Sequence, residues 1–167
     1  TLTRDQDVLI AGNRIQAFDA PGIGRVGLLI CEDFWHLSAA TILQAEDVDV
    51  LICLANSPAR GVQGPRVRTA DVYEHVAKTY ALLMNAVVVV VNRVGFEDGL
   101  CFWGGSMVVG PDGELLASAP QLDESLTIAC LDLAEIRRQR IITPLGRDER
   151  LLITLEELQR IKRRSYE

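Results

Sequence analysis

In GLLICEDFWH, residues 27–36, one cysteine closes an apolar run, and two acids and two aromatics follow at once. A thiolate is a strong nucleophile even at modest ionisation. Cys31 stands where a strand would hand over to a helix. At such a junction the first amide N–H groups have no intrahelical acceptor, and the helix dipole favours an anion. Both features suit a thiolate and the oxyanion of an acyl-transfer intermediate. The alternative is a small buried thiol that merely ends a strand. Position alone leaves both readings open. Asn56, Ser57 and Pro58 follow the next apolar run, so a second strand would carry polar groups to the same rim, and reactive groups in parallel sheets gather at the carboxyl ends of strands.

The other reactive side chains offer less. Cysteines also occur at 53, 101 and 130, without a C-x-x-C pair, and His36 and His75 give no zinc spacing. Cys53 in VDVLICLAN and Cys130 in SLTIACLDL read as small strand residues. No metal or cofactor is implied, and a reducing, cytoplasmic setting is expected. Glu32 and Asp33 have helix capping as an alternative role. His36 reads as a surface or pocket-wall residue, and Glu74 and His75 as solvated or packing residues of a helix.

The elements that must position Cys31 follow from apolar patterning. RVGLLIC (25–31), VDVLICLAN (48–56) and VVVVVN (87–92) are near-continuous apolar runs, as strands buried on both faces require. A helix is predicted over 38–46 with Ser38 as its cap. SPARGVQGPR (57–66) holds two Pro and two Gly and reads as loop. A long helix is predicted over 69–85, where Tyr73, Val76, Ala77, Tyr80 and Met84 form one stripe. The order β-α-β-α-β implies parallel strands with right-handed crossovers. Pro111-Asp112-Gly113 is a turn between two hairpin strands. ESLTIACLDL (124–133) is predicted to be a further strand, and AEIRRQR and LEELQRIKRR to be helices. The sum is a mixed sheet covered by helices on one face.

Composition bounds the class. A chain of 167 residues supports one ordinary core, and 49% hydrophobic residues exclude global disorder. No apolar run reaches membrane-spanning length, and the start shows no signal-peptide pattern. The net charge is −6, with 8 Lys+Arg against 18 Asp+Glu in residues 1–136 and 9 against 5 in residues 137–167. The acidic body argues against a nucleic-acid partner. Glu156 and Glu157 interleave with the basic tail, which reads as a solvated face or a subunit contact.

GRVGLLICEDFWH resembles the nucleophile segment of the nitrilase superfamily, the carbon–nitrogen hydrolases. VDVLICLANSPA resembles the following strand and pocket loop. RTADVYEHVAKTYALLMNAVVVVVNRVG resembles the helix and the "N…G" strand, and FWGGSMVVGPDGELLA the "F-x-G-x-S…P-x-G" hairpin. The resemblance covers nearly all of residues 10–165, and four segments in register favour the nucleophile reading. It implies an α-β-β-α sandwich and a Glu-Lys-Cys catalytic set. Cys31 would attack an amide carbonyl or a nitrile carbon and form a thioester. The Glu32 backbone N–H would hold the oxyanion, and Trp35, Asn56 and Ser57 would lie near the substrate. The acidic pair after Cys31 looks more like the amide-cleaving branches, with a small-molecule amide as substrate.

The family's Glu and Lys precede its cysteine. Here the lysines are Lys78 and Lys162, both after Cys31; Asp5, Asp7 and Asp19 precede it, but no Glu does. With Thr1 in place of Met, the expectation is the second half of a hydrolase domain. Residues 1–136 would be the catalytic-cysteine half, and residues 137–167 a helical arm at a subunit contact of a homo-oligomer. The isolated chain is expected to be inactive, its N-terminal half missing or held on another chain. Two alternatives stand beside the amidase reading: the glutaminase part of an NAD synthetase, and a non-catalytic hydrolase-like binding or assembly module. A flavodoxin-like or response-regulator fold shares the opening but leaves the 104–118 hairpin unexplained.

Overall fold

The computed structural model describes residues 12–64 and 66–164; Asp5 and Asp7 fall outside them. In chain order the strands are β1 (Phe18–Ala20), β2 (Gly24–Ile30), β3 (Val50–Ala55), β4 (Val62–Gln63), β5 (Arg66–Val67), β6 (Val87–Asn92), β7 (Val94–Glu97), β8 (Leu100–Trp103), β9 (Met107–Val109) and β10 (Leu115–Ser118). A 3₁₀ turn spans Cys31–Trp35. The helices are α1 (Leu37–Ala45), α2 (Arg68–Met84), α3 (Leu133–Ile142), α4 (Leu145–Asp148) and α5 (Leu151–Arg164).

The fold is mixed α/β around one central sheet of spatial order β1-β2-β3-β6-β9-β10. β2, β3 and β6 are parallel, and β1, β9 and β10 extend the sheet antiparallel at its two edges. The register sets Val26, Val50 and Val87 in one cross-strand row, Leu28, Ile52 and Val89 in the next, and Ile30, Leu54 and Val91 at the carboxyl end. The intervening residues Leu29, Cys53 and Val90 face the helices and are buried with Leu43, Ala77 and Ala81. Gly27 is required there: a Cβ would lie 2.9 Å from the Leu43 side chain.

The opposite face is covered unevenly. Ile136 of α3 packs on Val26, Val50 and Val87. Leu28, Ile30, Leu54 and Val91 are 44–56% exposed, so an apolar row lies open at the end of the sheet that carries Cys31.

The α2 stripe behaves as predicted. Tyr73, Ala77, Tyr80 and Met84 are buried, and Asn85 ends the helix in the left-handed region at φ 48°. In the Pro111-Asp112-Gly113 turn, Gly113 has φ +81° and the Glu114 N–H donates to Asp112 Oδ1 at 3.1 Å.

Four expectations are corrected. Strand β2 ends at Ile30, and Cys31 belongs to the 3₁₀ turn. Ser38 is not a cap: α1 begins at Leu37 directly after that turn, with His36 at the cap position and no side-chain cap bond. The 57–66 loop includes a small ladder of β4 with β5. Residues 124–132 form no strand. Their alternation offers an apolar face, but Leu126 and Ile128 are 89% and 80% exposed. A strand needs a ladder partner, and none lies alongside them among the described residues.

Candidate functional site

Cys31 follows the last residue of β2 and has φ +49°, a region that non-glycine residues rarely adopt. The chain turns there from extended to 3₁₀ backbone. Asp33 fixes the turn: its carboxylate accepts from the Ile30 N–H at 3.1 Å, and its carbonyl accepts from the His36 N–H at 3.2 Å. The Cys31 and Glu32 amides open the turn and so have no acceptor within it. Positive φ at a reactive position stores strain that the surrounding structure must over-determine, and the packing beneath the turn does so. Phe34 is fully buried; its ring stacks on Tyr73 at 5.8 Å and meets Tyr80 edge-on at 5.2 Å, and the Tyr80 hydroxyl donates to the Phe34 carbonyl at 3.0 Å.

Cys31 is partly exposed at one wall of a cleft of about 550 Å³, shared with Glu32, Trp35, His36, Asn56, Ser57, Arg60, Thr69 and Tyr73. The structure therefore brings together the five residues singled out in the sequence: Cys31, Glu32, Trp35, Asn56 and Ser57. Glu32 is exposed. The Trp35 indole N–H donates to the Tyr73 hydroxyl at 3.3 Å. Asn56 is exposed, with its Oδ1 at 3.5 Å from Arg93 Nη1. Ser57 is buried, and its backbone N–H donates to Asn92 Oδ1 at 2.9 Å. His36 lies at the cleft as expected. Glu74 pairs with Lys78 at 2.6 Å on the surface of α2.

Three residues that matter here were not singled out. Tyr73 counted only as a member of an apolar stripe, yet its hydroxyl accepts from Trp35 and interacts with the Cys31 side chain. Burial, and then its neighbours Cys31 and Cys53, raise its pKa, so it remains a neutral phenol. Asn92 ends β6 and is buried; its Nδ2 donates to the Gly104 carbonyl at 3.0 Å and its backbone N–H to Ser106 Oγ at 3.0 Å. An asparagine closing a valine run is the signal that could have found it, because a buried amide must be matched. Arg60 brings a cation to the cleft from a loop that reads as featureless in sequence. Behind Cys31, Cys53 is buried and its thiol is pushed up to about 12, chiefly by burial. Two cysteines in one region thus divide: one faces a cleft, and the other is held protonated in the core. Among the described residues no cluster of three or more His, Cys, Asp or Glu could hold a metal ion, and no helix is long and apolar enough to cross a membrane.

The fold is thus a mixed α/β sheet with a cysteine at positive φ just after a parallel strand, beside a cleft. The chain belongs to the carbon–nitrogen hydrolase family, whose model matches residues 2–141. Its relatives include a glutamine-dependent NAD(+) synthetase of Acinetobacter baylyi, 31% identical over 70% of this chain and 20% of the relative. An (R)-stereoselective amidase of a Pseudomonas species is 35% identical over 81% of this chain and 46% of the relative. The crystal structure of a carbon–nitrogen hydrolase from Helicobacter pylori G27 superimposes with a TM-score of 0.73 at 28% identity, over 82% of this chain and 50% of that one. The chain spans at most about half the length of these relatives.

Proposed function

We propose that this chain carries the cysteine of an amidase-type carbon–nitrogen hydrolase acting on a small, non-peptide amide. The observation that carries the reading is Cys31 itself, turned at positive φ out of a parallel strand into a cleft of about 550 Å³. The Cys31 thiol gives its proton to a general base as its sulfur attacks the amide carbonyl carbon, a C–S bond forms, and the carbonyl π pair moves onto oxygen; the protonated base is the general acid of the next step. The Glu32 N–H stabilises that oxyanion. Collapse breaks the C–N bond and expels ammonia or an amine, which takes a proton from a general acid. Water then adds to the thioester, its proton passes to a base, and the C–S bond breaks to release the acid and restore the thiol. Trp35, Asn56 and Ser57 line the substrate's position.

The Glu and Lys of the catalytic set come from outside these residues, on a segment that also lays a second sheet over Leu28, Ile30, Leu54 and Val91. A general base supplies ~10²–10⁴ in rate and one oxyanion donor ~10²–10³. The 167-residue chain alone is therefore inactive or nearly so. The glutaminase part of an NAD synthetase stays a second reading, favoured by the 31% identity to such a synthetase over only 20% of its length.

The test is ammonia release from simple amides and from glutamine by the protein expressed from its full reading frame, beside Cys31→Ala. We expect release that is abolished by the substitution. A Cys31→Ala protein that still releases ammonia would overturn the reading, as would a wild type inert to every amide, which would favour the non-catalytic module.

A further inference from the structure

We propose that Tyr73 is a positioning residue for Cys31: its hydroxyl, held by the Trp35 indole N–H, donates a hydrogen bond to the Cys31 sulfur and keeps that sulfur poised as a thiolate at the cleft. This rests on the reading of Cys31 as nucleophile. A tyrosine hydroxyl has one proton to give and lone pairs to fill. Tyr73 is 1% exposed, so its hydroxyl must find partners within the protein. Its oxygen accepts from Trp35 Nε1 at 3.3 Å. Among the described residues no carboxylate or backbone carbonyl takes its proton, and its other hydrogen bond is with the Cys31 side chain. The sequence of bonds has one direction. An indole only donates, so the phenol accepts there and turns its own proton toward sulfur.

The ring fixes where that hydroxyl lies. Phe34 stacks on it at 5.8 Å, Trp35 meets it edge-on at 5.0 Å, and Trp103 lies at 5.8 Å. The oxygen therefore reaches Cys31 from helix α2, clamped between the 3₁₀ turn and β8. Burial, and then the neighbouring Cys31 and Cys53, hold Tyr73 in its protonated form, so the donor persists where the thiolate forms. A hydrogen bond to a thiolate is charge-assisted, and it weakens when sulfur becomes part of a neutral thioester. Tyr73 thus stabilises the charged nucleophile more than its adduct. It raises the share of thiolate and makes each thiolate somewhat less nucleophilic. Tyr73 keeps its proton throughout; the thiol proton goes to the general base.

The test is iodoacetamide labelling across about pH 5 to 10, which needs no catalytic turnover. It compares the protein from the full reading frame with Tyr73→Phe and Trp35→Phe. Peptide mass spectrometry follows Cys31, with exposed Cys130 as internal reference. Phenylalanine at 73 retains the ring and removes only the hydroxyl. We expect the pH of half-maximal labelling at Cys31 to rise by about one unit and the alkaline plateau rate to rise roughly threefold, with the Cys130 profile unmoved. Trp35→Phe should shift the Cys31 profile in the same direction by a smaller step. Glu32, Asp33, His36, Arg60 and Cys53 surround the same turn and are common to all three proteins, so the difference between profiles belongs to the hydrogen bond removed. A Cys31 profile unchanged in Tyr73→Phe, or one that moves together with that of Cys130, would overturn the role of Tyr73 while leaving Cys31 as nucleophile. Early labelling of Cys53 in Tyr73→Phe, with the Cys31 midpoint in place, would reduce Tyr73 to a packing residue and overturn it equally. Wild-type Cys31 unlabelled at every pH while Cys130 reacts would overturn the nucleophile reading and this inference with it.

Discussion

Cys31 and Cys53 are two residues of one type given opposite fates by their surroundings. The buried Cys53 thiol is pushed from 9.0 up to about 12, so near pH 7 its thiolate is scarce and its sulfur out of reach. We expect iodoacetamide at pH 7 to modify Cys31 and Cys130 well before Cys53, with Cys53 labelling rising only in alkali or on unfolding. Peptide mapping over time checks this, and early modification of Cys53 would contradict the packing described. Asn92 is the other decisive residue. Asn92→Ala leaves the Ser57 N–H and the Gly104 carbonyl unmatched in a buried setting, at a cost of about 2–3 kcal/mol read by urea unfolding. The place of Cys31 just after a strand, at the wall of a cleft, was legible in ICEDFW because residue type and position are local properties. The roles of Tyr73 and Asn92 were not, because each depends on a partner from another element: Trp35 and Cys31 for the first, Ser57 and Gly104 for the second.

At the scale of elements, the three parallel strands and α2 were readable because buried parallel strands and one-sided helices write their periods into the sequence. The 124–133 segment was misread for the same reason. Its alternation is real, but a strand is defined by a neighbour, and the sequence does not say whether one is present. The β7–β8 hairpin shows the reverse error. Its two-residue turn, Asp98-Gly99, has φ 49° and 78°, as a type I′ connection requires, and the Asp-Gly signal was in plain view. Helix α5 has an apolar side in Leu151, Leu155, Leu158 and Ile161, yet none of its residues is buried. We propose that the arm over residues 137–167 meets a second copy through α5. Deleting residues 151–164 should leave the unfolding midpoint nearly unchanged while reducing the assembled mass in multi-angle light scattering. An unchanged assembled mass would remove the arm from the subunit contact.

For the whole molecule, the sheet has one face closed by helices and one face half open. Ile136 covers the row at the amino ends of β2, β3 and β6, and the row at their carboxyl ends is bare. In a family whose relatives are about twice this length or more, the bare row is the seat we assign to a second sheet layer. Leu54→Asp is expected to cost the isolated chain about 1 kcal/mol or less, since Leu54 is already 44% exposed. In the protein from the full reading frame, the same change should abolish amide hydrolysis and lower thermal stability, because a charge would then be buried without a partner. Equal effects in both contexts would remove the second layer from the proposal. The most direct test of the whole reading is mass spectrometry of the full-frame protein quenched during turnover of a small amide. We expect an acyl adduct on Cys31, labile to hydroxylamine. Amide consumed while Cys31 stays unmodified, with the adduct on another residue or on none, would contradict it.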